Sequence, residues 1–512
     1  QAMAGSLAAA CNGVGLYHIY GDETTWGEGY NMQQIPKQQQ QLYGQMTALM
    51  GQSYVLHTPE ALRDALRRGT QCVNHPVKPG PFYLMLPINT QPQVIDGLNL
   101  EALPEALQNT PTAVADKAVL KKAAEALRGH SRIVFKVGGG GRPFAGPLRE
   151  LAERCGAAVV ASPGSTGVLP DAHPQYMHVG GSKGSISGNH AMSNATLLVA
   201  IGTRAVCQSD CSGVGYPLVE QVININADLS DLTHYNRTIP LQGDIGAVVE
   251  QLLSVLQAMP DEQAQQRSVW LDSCAASKAA WKSFLHQRQS TPPLFDEVWQ
   301  RNVLTQPAAI KVVCDFANEV QAIKFFDAGD VQANGFQTVE DDSTGQTYTE
   351  SGASYMGFAT CAVTAAGMAS TQQYPIAFTG DGSFMMNPQA LISAIEHQAR
   401  GTIVIFDNRR MAAISSLQHA QYGRDFRTND AVAVDYVQLA GSVKGVQAVW
   451  GGEDAASLRE ALKRAHSHSG LSVVHVPVYA GERPEGGLGA YGSWNVGNWC
   501  DDVQQRYLSS LV

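Results

Sequence analysis

Ile376-Ala377-Phe378-Thr379-Gly380-Asp381-Gly382-Ser383-Phe384-Met385-Met386-Asn387 reads as a strand running into a tight turn. A short apolar run delivers two glycines and one carboxylate, and residues 388–398 continue as a helix. Glycines at such a turn let backbone come close to a phosphate, and the helix start offers N–H groups without intrahelical partners. Asp381 adds a hard oxygen suited to a divalent cation. A second apolar run, residues 402–406, ends in Asp407-Asn408-Arg409-Arg410, so Asn408 follows Asp381 by 27 positions. Strand, helix and strand of that length return the chain to the same edge of a parallel sheet, where Asp381 and Asn408 can share one ion.

The same grammar of apolar run, glycine-bearing turn and helical pattern recurs along the chain, which predicts an α/β protein with three doubly wound parallel-sheet domains. The first covers residues 1–95, with strands at 15–20 and 82–87 and a helix at 59–68. Residues 89–110, rich in Pro, Gln and Asn, read as a linker. The second domain covers 111–262, with strands at 133–137, 157–160, 197–201 and 222–225 and a closing amphipathic helix at 245–256. The polar segment 261–293 separates it from the third, 300–480, whose strands are 323–327, 375–379, 402–406 and 473–477. Residues 481–512, rich in Gly and Trp, read as an irregular tail.

A chain of 512 residues has room for about three domains at roughly 100–200 residues each. With 44% hydrophobic and 16% charged residues it has the balance of a water-soluble globular protein. Its net charge of -10 leaves no basic field for nucleic acid. No apolar run is long enough to span a membrane, and Gln1-Ala2-Met3-Ala4-Gly5 carries no secretory pattern, so a cytoplasmic location is expected. The 9 cysteines form no CxxC pair, which argues against a disulfide framework or zinc site.

The GDG turn with its downstream Asn resembles the thiamine diphosphate signature, here with Asp407 in the first position of the usual Asn pair. The resemblance implies Mg²⁺ held by Asp381, Asn408 and the main-chain carbonyl of Arg410. It also implies a bulky apolar side chain that bends the cofactor, 25 positions before Asp381, which is Met356, and an aminopyrimidine contact at the carbonyl of Ser354. Asp327-Ala328-Gly329-Asp330-Val331 resembles the loop that touches the distal phosphate. The implied cofactor contacts are Gly329, Asp330, Ser354, Met356, Gly380, Asp381, Gly382, Ser383, Asn408, Arg410 and Met411.

The order of domains resembles the acetolactate-synthase-like enzymes: pyrimidine-binding, middle, pyrophosphate-binding. Within them the last 170 residues look most like the trihydroxycyclohexane-1,2-dione hydrolases, through Tyr355-Met356-Gly357-Phe358, Phe426-Arg427-Thr428-Asn429-Asp430, Val434-Asp435-Tyr436 and Tyr491-Gly492-Ser493-Trp494-Asn495-Val496-Gly497. This implies a small carbonyl substrate, cleavage of a C–C bond beside a carbonyl by hydrolysis of a cyclic 1,2-dione, and a homodimer or homotetramer. The alternatives are a 2-keto acid decarboxylase or carboligase, and a non-catalytic subunit.

Residues 1–95 resemble only the second half of a pyrimidine-binding domain, an N-terminal truncation that leaves the family's activating glutamate without a counterpart; Glu23 and Glu28 read as loop charges. Gln38 and His419 are the catalytic candidates that remain, the former in a run of glutamines, the latter just beyond the metal loop. His18 and His190 are expected at cleft-facing positions. Arg409 and Arg410 either add anion contacts or face water. Gly138-Gly139-Gly140-Gly141 lacks the full dinucleotide fingerprint, which disfavours FAD or NAD, and Gly184-Ser185-Ile186-Ser187-Gly188 lacks the preceding strand of a nucleophile elbow.

Overall fold

A computed structural model describes residues 3–27, 41–106, 113–257, 263–350, 352–369, 373–428, 432–488 and 501–512. Gln38 and Glu28, and the stretch 491–497, lie outside these residues. The chain forms two compact units, Gln1–Thr112 and Ala113–Val512, so the expected middle and pyrophosphate domains belong to one body. Among the described residues no helix is long and apolar enough to cross a membrane.

The first unit holds three parallel strands, β1 (Leu16–Asp22), β2 (Gln52–Val55) and β3 (Pro81–Pro87), in the order β1-β3-β2. The run Phe82-Tyr83-Leu84-Met85 is buried on both faces, which is why it takes the centre. Helix Leu62–Val73 packs Ala65 against Phe82 and Leu84.

The second unit contains two six-stranded parallel sheets. One comprises β4 (Ile133–Val137), β5 (Ala158–Ala161), β6 (Tyr176–Val179), β7 (Leu197–Ile201), β8 (Gln221–Asn226) and β9 (Thr238–Gln242), ordered β6-β5-β4-β7-β8-β9. After a short antiparallel hairpin, β10 (Leu294–Asp296) and β11 (Arg301–Val303), comes the other. It comprises β12 (Ile323–Phe326), β13 (Thr347–Thr349), β14 (Pro375–Gly380), β15 (Gly401–Asp407), β16 (Gln447–Trp450) and β17 (Leu471–Pro477), ordered β13-β12-β14-β15-β17-β16. From β12 the chain moves outward to β13, then returns to the far side of β12 as β14 and proceeds to β15. The loops after β12 and β14 therefore leave in opposite directions and open a crevice at their carboxyl ends.

The equivalent divergence in the other sheet lies between β4 and β7, and there the crevice is closed. A side chain at Gly138 would strike the Gly202 carbonyl and Thr203 Cα, and one at Gly140 would meet Gly202 Cα at 3.1 Å. The glycine run serves backbone-on-backbone packing of two turns.

Three expectations need correcting. The polar segment 261–293 contains helix Ala264–Gln289, whose Arg267, Trp270, Cys274, Trp281 and Leu285 are buried along one stripe. Trp270 Nε1 donates to the Ile133 carbonyl at 3.1 Å, and Arg267 caps the end of helix Lys117–Gly129 through the His130 carbonyl. His190 stacks on Trp270 and meets Ser273 Oγ at 3.0 Å, so it packs against this helix instead of facing a cleft. The tail expected to be irregular ends in helix Asp501–Ser509.

Candidate functional site

The site grows from the strand ends at the crevice. Gly380 of β14 pairs with Phe406 of β15, so Asp381 and Asn408 leave the carboxyl ends of neighbouring strands within one residue of register, both buried. Asp381 opens the short helix Asp381–Phe384, whose Ser383 Oγ donates to the Ala328 carbonyl at 3.2 Å. The turn after β15 is held twice over. Asp407 accepts from the Arg409 N–H and Asn408 from the Arg410 N–H, each at 3.0 Å, while Arg409 takes a φ of 50°. The other Asp407 oxygen meets His475 Nε2 of β17 at 2.8 Å, with both side chains buried and the imidazole walled by Trp450 and Tyr436. An Asp at the first position of the pair thus has a partner of its own, contributed by the neighbouring strand.

Asp327 at the end of β12 is fully enclosed. It accepts from the Ala328 N–H at 3.0 Å, the Gly357 N–H at 2.8 Å and Thr379 Oγ1 at 2.9 Å, and burial pushes its carboxyl up to about 6. It pins β14 and the start of helix Phe358–Met368 to the β12 loop. Glu350 does the same for the next loop, accepting from the Ala353 and Tyr355 N–H groups at 2.8 Å each. Between those two anchors Ser354 sits at φ 54°, a left-handed conformation uncommon for a residue with a side chain.

These loops surround a cavity of about 470 Å³. The cofactor contacts implied by the sequence all line it: Gly329 and Asp330 from the β12 loop, Ser354 and Met356, Gly380 through Ser383, then Asn408, Arg410 and Met411. Gly382 has a steric reason to be glycine. A β-carbon there would meet Met411 Sδ at 3.1 Å and Met356 Cε at 3.4 Å, so its absence keeps the space between the two methionines open. Asp381, Asn408 and Arg410 all line the cavity, and a carboxylate, an amide oxygen and a main-chain carbonyl are donors that could hold a Mg²⁺ completed by phosphate oxygens and water. Among the described residues no group of three or more His, Cys, Asp or Glu gathers to hold a metal.

Neither expectation for the arginine side chains describes Arg410. Its guanidinium donates to Ser415 Oγ at 2.8 Å, to the Ala480 carbonyl at 3.1 Å and to the Asp425 carboxylate. Hydrogen bonding from Ser415, and then from Arg410, holds the Asp425 carboxyl below its usual range. His419 is 67% exposed, lies 3.8 Å from Asp425 and is not among the cavity residues, because its turn of helix Ala412–Tyr422 faces outward. His18 meets Ser6 Oγ at 2.9 Å and packs against Tyr20 and Tyr83 in the first unit. Ser185 follows β6, a strand the sequence reading missed, but its hydroxyl is buried and donates to the Met177 and Val179 carbonyls. That is a helix cap, not a nucleophile.

Sequence reasoning missed the wall contributed by the β4–β9 sheet: Pro163, Gly180, Ser182, Lys183, Cys207, Gln208 and Ser212. Behind it the buried Lys136 donates to the Gly180 carbonyl at 3.2 Å, and burial lowers its ammonium to about 8. No motif announces these residues, since only the docking of one sheet on the other brings them to the cavity.

Comparison with known families bears on the whole unit. Residues 327–476 match the thiamine pyrophosphate enzyme C-terminal TPP binding domain, and residues 120–252 match the thiamine pyrophosphate enzyme central domain, together more than half of the chain. The chain belongs to the thiamine pyrophosphate enzymes. A 3D-(3,5/4)-trihydroxycyclohexane-1,2-dione hydrolase of Lacticaseibacillus casei is 26% identical over 472 residues, 86% of this chain and 71% of that protein. The acetolactate synthase isozyme 1 large subunit of Escherichia coli (strain K12) is 24% identical over 437 residues, 84% of this chain and 72% of its own length. A probable acetolactate synthase large subunit of Methanocaldococcus jannaschii is 26% identical over 430 residues, covering 80% and 69%. Within a family whose C-terminal domain binds thiamine pyrophosphate, the cavity at the β12/β14 crevice is this enzyme's candidate cofactor site.

Proposed function

We propose that this enzyme binds thiamine diphosphate with Mg²⁺ in the 470 Å³ cavity and hydrolyses a C–C bond of a cyclic 1,2-dione. The observation that carries the cofactor reading is the gap left by Gly382 between Met356 and Met411, in the cavity that the oxygen-bearing side chains of Asp381 and Asn408 also line. Asp381, Asn408 and the Arg410 carbonyl would hold the metal, with Gly329, Asp330 and Ser383 toward the diphosphate. Met356 would support the bend between the rings, and the Ser354 carbonyl would accept from the aminopyrimidine. When bound, the cofactor supplies a carbanion nucleophile and an electron sink for cleavage beside a carbonyl.

The chain's own contribution is binding and environment. Val331, Ala333, Phe336, Ala413, Ile414 and Leu417 give the cavity an apolar lining that keeps bulk water away and strengthens charge interactions inside. Ser182, Gln208 and Gln332 offer hydrogen-bonding groups on the same cavity for a hydroxylated substrate and the water that hydrolysis needs.

The dione reading rests on the hydrolase relative. The acetolactate synthases, at similar identity, support a second reading: decarboxylation or carboligation of a 2-keto acid. The family resemblance also supports assembly as a homodimer or homotetramer. The experiment is to add thiamine diphosphate and Mg²⁺, then supply cyclohexane-1,2-dione or pyruvate separately. Acid release from the dione without CO₂ from pyruvate is the expected result. CO₂ from pyruvate alone rejects dione hydrolysis in favour of the second reading. Cofactor binding that survives Asp381→Ala unchanged would reject the metal set.

A further inference from the structure

Two cations line the cavity, Lys183 and Arg410, and they are in different situations. Arg410 is committed to Asp425, Ser415 and the Ala480 carbonyl. Lys183 comes from the other sheet, at the turn between β6 and helix Ile186–Asn194, and its ammonium reaches Asp330 Oδ1 at 3.1 Å. An ammonium carries three donor hydrogens, so one carboxylate contact leaves donors for a further acceptor in the cavity.

The turn that carries Lys183 is fixed on every side. Asn189 accepts from the Gly181 N–H at 2.8 Å and donates to the Gly181 carbonyl at 3.0 Å. The Ser182 N–H donates to the Gln208 carbonyl at 2.6 Å. The Gly184 carbonyl accepts from Gln337 Nε2 at 3.1 Å, on helix Asp330–Thr338, whose first residue is the one Lys183 pairs with. Lys183 is therefore held toward the Gly329–Asp330 end of the cavity by a rigid loop.

We propose that Lys183 binds the terminal phosphate of the diphosphate, with Asp330 holding the ammonium in position; this rests on the cofactor reading above. The physical reason is charge. Asp330 and Asp381 both line the cavity, and a diphosphate adds several negative charges that one Mg²⁺ does not balance. In an apolar-lined cavity that excess is costly, and Lys183, although paired with Asp330, is the lining cation whose ammonium keeps donors for a further acceptor, whereas the Arg410 guanidinium is committed to Ser415, Ala480 and Asp425.

The test is calorimetric titration with Mg²⁺ and either thiamine diphosphate or thiamine monophosphate, which lacks the terminal phosphate. Wild type, Lys183→Met and Lys183→Arg are compared. The expected result is that Lys183→Met loses about 10- to 100-fold in diphosphate affinity, the scale of a charge-assisted hydrogen bond, keeps its monophosphate affinity, and is largely restored by Lys183→Arg. Equal diphosphate affinity in Lys183→Met and wild type overturns the assignment. So does an equal loss for both ligands, which is what a purely architectural Lys183–Asp330 pair would produce. If wild type itself fails to bind the diphosphate, the cofactor reading falls, and that outcome is visible before any variant is made.

Discussion

Asp327 shows how much one side chain can organise at this crevice. Its carboxylate ties three loops together through two backbone N–H groups and the Thr379 hydroxyl, yet burial raises its pKa from 3.8 to about 6. The folded state then holds the proton more tightly than the unfolded chain between those values, so this group's contribution to stability falls as pH rises from about 4 to about 6. Asp327→Asn keeps an acceptor for the two N–H groups and removes the titration. Across pH 4.5 to 7, urea melts should show the variant gaining about 2 kcal/mol relative to wild type, from roughly 1.36 kcal/mol per pH unit. An identical pH dependence for the two proteins would exclude Asp327 as the titrating group. At this scale the GDG turn, Asn408 and Met356 were legible because their spacing is carried by single strand–turn–helix units. The roles of Glu350 and His475 were not, since each acts on a loop through contacts that spacing alone does not reveal.

Among the elements, the interior strands were readable and the edge strands mostly were not. Strands β4, β7, β14 and β15 lie inside their sheets and appear in the sequence as continuous apolar runs. The overlooked strands of the parallel sheets, β2, β6, β9, β13 and β16, all stand at sheet edges, are short, and carry polar residues such as those of Thr347-Tyr348-Thr349. Helix Ala264–Gln289 was hidden for a related reason: its buried stripe is narrow, includes Arg267, and is diluted by charged, polar and alanine positions and by an exposed Val269. Trp270 on that stripe is buried against the β4–β9 sheet and bonded to the Ile133 carbonyl. Trp270→Ala should cost about 3–5 kcal/mol in denaturant melts, in the range of large-to-small core changes. A cost below 1 kcal/mol would mean that the helix is a tether and not part of the core.

For the molecule as a whole, the two sheets of the second unit are joined by more than a linker. Gln337 bonds the Gly184 carbonyl, His178 Nε2 meets the Val339 carbonyl at 3.1 Å, and the Arg142 guanidinium lies 4.5 Å over the Tyr348 ring. Contacts of that density should make the sheets one cooperative body. Hydrogen exchange followed through a urea series should find β4 and β7 losing protection at the same concentration as β14 and β15. Separate transitions would show two independent domains. The sequence by itself determined the α/β class, the parallel strands and the cofactor turn, because each is written in the periodicity and turn chemistry of a contiguous segment. The tertiary structure alone decided that Lys183 and the rest of the second wall close the cavity, that Arg410 is held by Asp425, and that the glycine run at 138–141 packs against backbone. Those outcomes depend on residues far apart in the chain meeting across packed surfaces, and no local pattern encodes which surfaces meet.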